Sequence, residues 1–137
     1  MKKPVHQKQR TNHNYRRGAD AERRAIRNFL KPPQMAHPIF KIKPTEVLRS
    51  AGSHGPFDLC VLGEEVEVLV QVKSVKDLVT GQAELQRLAN SLRAYRKPRP
   101  PRRYLAGLVF VPREGWLVTT RYDDKVQICV NPYPAGK

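Results

Sequence analysis

Asp58, Gln71 and Lys73 are the residues of this chain whose types and spacing could do chemistry. They lie on a stretch that reads Phe57-Asp58-Leu59-Cys60-Val61-Leu62, a polar turn at Gly63-Glu64, and an alternating run through Val66, Val68, Val70 and Val72 to Lys73. A strand puts alternate residues on opposite faces, so the valines take one side and Glu67, Leu69, Gln71 and Lys73 the other. With Gly63-Glu64 as a hairpin turn, Leu62 pairs with Glu65 and Asp58 with Leu69. Asp58 then joins the Gln71 side, while Leu59 and Val61 join the valines. Gln71 becomes the diagonal neighbour of Asp58, about 7–8 Å away, a gap that a bound cation bridges. A carboxylate, an amide oxygen and an ammonium on one face suit metal-dependent hydrolysis of a phosphodiester. A half-buried hairpin with a solvated polar face has the same alternation, so the rest of the chain has to decide between them.

Glu22 is a second candidate. It precedes Ala25, Ile26 and Phe29 at helical spacing and extends their apolar stripe, where a carboxylate needs a partner or a metal. A first-turn acid serving backbone donors is the plainer alternative. Ser53 and His54 sit between Gly52 and Gly55, in a loop that lets a ligand approach the backbone closely; an ordinary connection fits them too. Arg49, just before that loop, is a candidate phosphate contact or a surface ion pair.

These residues need elements to hold them. Residues 1–15 are polar, basic and without apolar period, and are expected as a flexible basic arm. Residues 16–131 are expected as one domain and 132–137 as a disordered tail, with Pro132, Pro134 and Gly136. A helix is expected from about Arg17 to Leu30, with Ala25, Ile26, Phe29 and Leu30 as its stripe and Lys31-Pro32-Pro33 as its stop. A strand over 46–50 leads into the Gly-bracketed loop and the hairpin. A second helix is expected over 82–96, with Leu85, Leu88, Ala89, Leu92 and Tyr95 on one side. Strands over 104–111, 116–120 and 125–130 follow. Helix, strands, helix, strands reads as α/β with a mixed central sheet covered by helices. The stripe of the second helix, together with the 105–111 strand, is a candidate two-fold interface.

Charge narrows the partner. The 137 residues carry 26 Lys and Arg against 12 Asp and Glu, a net charge of +14. Residues 1–17 and 92–103 hold 12 of those 26 cations and no acid. Such concentration points to a polyanion, nucleic acid before membrane. Cys60 and Cys129 stand in no zinc-binding spacing, and Cys60 reads as a small packing residue. No apolar run approaches the ~20 residues of a membrane span, and the basic start lacks an apolar leader. The default expectation is a soluble, cytoplasmic protein without a membrane partner.

The blocks Arg17-Gly18-Ala19-Asp20-Ala21-Glu22-Arg23, Val47-Leu48-Arg49-Ser50-Ala51-Gly52-Ser53, Asp58-Leu59 and Gln71-Val72-Lys73-Ser74 carry a resemblance. Over most of residues 16–119 the chain resembles the archaeal-type Holliday junction resolvases of the PD-(D/E)xK nuclease superfamily. The resemblance implies a restriction-endonuclease-like fold and a homodimer that cuts four-way or other branched DNA symmetrically, in recombination and repair. It implies Mg²⁺, with Mn²⁺ substituting, and no small-molecule cofactor. Glu22 matches the family's first-helix acid, Asp58 its central metal acid, Lys73 its catalytic lysine and Ser53 its loop serine. Glu22, Asp58, Gln71 and the Val72 carbonyl are the implied metal ligands. Arg17, Arg23, Arg49, His54 and Lys76 are the expected DNA contacts. The family usually has glutamate where Gln71 stands, which removes one anionic ligand. Two alternatives accompany this reading: a non-catalytic basic protein that binds DNA or RNA on the same fold, and a restriction- or repair-type nuclease with another DNA substrate.

Overall fold

The structure, a computed structural model, describes residues 5–49, 56–95 and 103–136, with side chains from residue 16 onward. Helix α1 (Val5–Leu30) is followed by a 3-10 turn (Pro38–Lys41), strands β1 (Glu46–Arg49), β2 (Leu59–Leu62) and β3 (Glu67–Ser74), and helix α2 (Leu78–Ala94). Strands β4 (Arg103–Val111), β5 (Gly115–Tyr122) and β6 (Lys125–Tyr133) complete the chain. One six-stranded sheet in the order β1-β2-β3-β4-β5-β6 results. Every pairing is antiparallel except β3–β4, which is parallel because α2 carries the chain back across the sheet. The architecture is therefore α/β with a mixed central sheet between helices.

The period-two pattern of β3 builds the core. Val68, Val70 and Val72 are buried and pack with Leu59 and Val61 of β2 against Ala21, Ala25 and Phe29 of α1. On the other face, Leu85, Leu88 and Leu92 of α2 lie against Leu105, Val109, Val111 and Leu117. Gly107 makes this contact close: a β-carbon there would stand 3.0 Å from Leu88 Cβ.

Several expectations are corrected. Helix α1 begins at Val5 rather than near Arg17, so the segment expected as an arm is helical from Val5 onward. Residues 5–15 contain neither Pro nor Gly, and a helix nucleated on the core-facing turns propagates into them at little cost. The buried side of α1 is Ala21, Ala25, Asn28 and Phe29, whereas Leu30 is 60% exposed. Asn28 Oδ1 accepts a 2.8 Å hydrogen bond from the buried Trp116 Nε1, which makes a polar residue part of the helix's inner face. Helix α2 starts at Leu78 because Asp77 caps it, accepting from Thr80 N at 2.8 Å.

The hairpin register differs by two residues from the one expected. Leu62 pairs with Glu67 and Leu59 with Val70, and residues 63–66 form the loop, closed by Gly63 N donating to Val66 O at 2.8 Å. Glu67 is held in that register by a 2.6 Å bond from Arg103 Nε on β4, and Val66 packs on the core. A shift of two preserves which face each residue takes. The expected disordered tail is also corrected. Strand β6 runs to Tyr133, Tyr133 meets the His37 ring edge-on at 4.8 Å, and Ala135 is buried in the main core. The α2 stripe and the 105–111 strand face each other inside one chain and are not a free two-fold interface.

Candidate functional site

The open end of the β2–β3 hairpin positions the central acid. Asp58 N donates to Val70 O at 2.7 Å, and Asp58 Oδ2 accepts from Val72 N at 2.8 Å. The first bond ties the Asp58 backbone to β3 and the second ties its carboxylate there, and continuing the Leu59–Val70 register sets Asp58 level with Gln71. This is a closer placement than the expected diagonal one. Gln71 stands opposite Gly107 on the face that carries α2, and Lys73 follows on the same face. Gln71 is half-buried and its side chain makes no hydrogen bond among the described residues; Lys73 is exposed.

Electrostatics converge on Asp58. Burial pushes its carboxyl above the usual aspartate value, while the Val72 N–H bond and the positive charges of Lys73 and Arg49 pull the other way without cancelling the rise. Arg49 Nη2 in turn donates to Glu22 Oε1 at 3.0 Å, joining β1 to α1. Arg49 pairs with Leu59, so it lies on the α1 face of the sheet, as Glu22 does. Asp58 thus stands where the two faces meet, between Arg49 on one side and Lys73 on the other.

The sequence-derived site residues fall into three groups. Glu22, Arg49, Asp58 and Lys73 form one linked electrostatic set, with Gln71 and Val72 beside it. Arg17 and Lys76 are exposed on the wall of one groove, while Arg23 is exposed and paired with Asp20 on its own helix. Ser53 and His54 lie outside the described residues. Sequence reasoning missed Arg24, whose guanidinium lies 4.5 Å over the Phe110 ring. The signal was present, because Arg17 and Arg24 are spaced to share one side of a helix.

Among the described residues no three His, Cys, Asp or Glu side chains gather closely enough to hold a metal by themselves. The fit to a cation rests on other donors. Asp58 Oδ1, Gln71 Oε1 and backbone carbonyl oxygen are hard ligands of the kind Mg²⁺ and Mn²⁺ take. A carboxylate left under-solvated by burial is also one that a cation would relieve. Cys60 has no place in this chemistry: burial and the neighbouring Glu67 raise its thiol pKa and disfavour the thiolate. No helix among the described residues is long and apolar enough to cross a membrane.

No family model and no curated protein matches the chain. Among solved structures it is similar to Hjc, a Holliday junction resolvase from the archaeal hyperthermophile Archaeoglobus fulgidus. The identity is 18% and the TM-score 0.39, over 80% of each chain.

Proposed function

We propose that this protein is a metal-dependent endonuclease whose substrate is branched DNA, the four-way junction first. The observation that carries the reading is the placement of Asp58: level with Gln71, anchored to Val72 N–H, and flanked by Lys73 and by the Arg49–Glu22 pair. Asp58, Gln71, the Val72 carbonyl and Glu22 would hold Mg²⁺ or Mn²⁺, which supplies Lewis-acid activation of a water. Lys73 neutralises charge that builds on the scissile phosphate, and Arg49 holds Glu22 while offering its remaining donors to a neighbouring phosphate. The motif blocks around Arg17–Arg23 and Arg49–Ser53 support the choice of junctions among DNA substrates. Cutting both strands symmetrically calls for two sites, which a two-fold dimer provides through a surface other than the α2 stripe. Such an enzyme works inside the cell, on DNA.

The test is cleavage of labelled four-way junction and of matched linear duplex, with Mg²⁺ and with EDTA. The expected result is junction cleavage that EDTA stops and that Lys73→Ala abolishes, with junction binding retained. Equal cleavage of linear duplex would move the assignment to a nuclease of other specificity. A second reading, a DNA-binding protein without catalysis, is favoured by Gln71, which leaves the site short of the usual carboxylates. Tight junction binding with no cleavage under any divalent ion would establish it.

A further inference from the structure

Two adjoining grooves of about 410 and 560 Å³ meet at the Arg24–Phe110 stack. Arg17, Lys76 and Pro112 line the first, Arg113 and Pro112 the second, and Arg24 and Phe110 line both. Four cations therefore face two carboxylates, Asp20 and Glu114, and Asp20 is engaged by Arg23. The groove adjoins the candidate active site along the chain: Ser74, the residue after Lys73, and Ala21, the residue before Glu22, are in its wall.

Arg24 is held in place from below. Its guanidinium sits 4.5 Å over the Phe110 ring, which meets Trp116 edge-on at 5.2 Å. Trp116 Nε1 donates to Asn28, one turn along α1 from Arg24. The chain of contacts leaves α1, crosses the sheet's end and returns to α1. An arginine stacked in this way has less rotamer entropy to lose when a phosphate arrives, and its free edge still carries donors in a fixed fork.

We propose that this groove is the track for one strand of a DNA duplex arm leading away from the scissile phosphate. Arg24 is its central phosphate contact, and Arg17, Lys76 and Arg113 engage phosphates on either side. The inference rests on the proposed nuclease reading for its direction and adds the substrate path. Contacts of this kind position the nucleic acid without reading its sequence.

The experiment measures affinity for a duplex of fixed sequence against salt, in EDTA, so that no cleavage enters. Each phosphate that a cation neutralises adds about 0.9 to the steepness of log K on log salt. The variant carrying both Arg24→Gln and Arg113→Gln is therefore expected to be shallower by about 1.8. Arg24→Lys keeps the charge and is expected to hold the slope. Arg87→Gln, on α2 and paired with Glu84, serves as the control and is expected to leave it unchanged. Far-UV circular dichroism checks that each variant is folded. An unchanged slope in the double variant, an equal drop in the Arg87→Gln control, or preference for an RNA duplex of the same sequence overturns the track. A reduced slope with no Mg²⁺-dependent cleavage leaves the track standing and removes the nuclease reading; cleavage with an unchanged slope does the reverse.

Discussion

At the scale of the residue, Asp58 carries two opposed demands. Its half-buried carboxylate has a pKa above the ordinary value, so the ionised form is less stable in the folded state than in the unfolded one. The sign follows from linkage: this cost is present in full above the folded pKa and vanishes as pH falls below the unfolded value of 3.8. Asp58→Asn keeps an acceptor for Val72 N–H and removes the charge. In EDTA it is expected to melt at or above the wild-type temperature near neutral pH, with the difference closing in acid; with Mg²⁺ it is expected to cleave nothing. A lower melting point at neutral pH, measured by calorimetry, would show that Arg49 and Lys73 more than offset the burial. Gln71→Glu restores an anionic donor and is expected to lower severalfold the Mg²⁺ needed for half-maximal cleavage. A Mg²⁺ requirement that rises instead would assign Gln71 a role other than ligand.

Elements are held by a few polar bonds at their ends. The Asn28–Trp116 bond joins α1 to β5 in the core, and both partners are buried. Asn28→Ala leaves the indole N–H without its acceptor, an expected loss of about 1–3 kcal/mol in urea unfolding. A loss of a few tenths would mean that water replaces the amide. The 3-10 turn depends on His37, whose Nδ1 accepts from Ile39 N at 2.9 Å while Nε2 lies 3.5 Å from Cys129 Sγ. Burial lowers the His37 pKa below 6.5, because protonation would charge a half-buried ring. The unfolded chain then binds more protons than the folded one, so stability falls as pH drops through 6.5 towards the folded value. His37→Asn retains a capping acceptor and is expected to flatten this part of the melting-temperature profile. An unchanged profile would place the acid sensitivity elsewhere.

For the whole molecule, the two helices close opposite faces of one sheet, and this decides what is left for partners. The α2 stripe belongs to the monomer's core. Leu88→Ala, at the close approach to Gly107, is therefore expected to lower stability by about 2–5 kcal/mol without changing the molecular mass in light scattering. Dissociation of an oligomer with an unaltered melting point would return the stripe to an interface. The positive surface has a similar logic. Arg17 and Arg24 share one side of α1, and Lys76, far along the chain after β3, joins them because α1 packs against β3.

How much of this was legible beforehand depends on range. Alternation in Val66–Lys73 determined which side each residue of β3 takes, because period two is a property of the strand alone. For the same reason the shared face of Asp58, Gln71 and Lys73 survived a register error of two. The loop itself was not legible: Glu67 is held by Arg103 and Val66 by the core, and both influences lie outside the hairpin. Asp77 announced the start of α2 through an ordinary cap signal that the apolar stripe obscured. Tertiary structure alone decided that Glu22 meets Arg49, because α1 and β1 are brought together only by the packing of the sheet. It also decided that Tyr133 and Ala135 belong to the fold, since their proline-flanked segment is ordered by what it packs on. Local periodicity is encoded in a few neighbouring residues, whereas the meeting of α1, β1 and β3 is set by the packing of the whole chain.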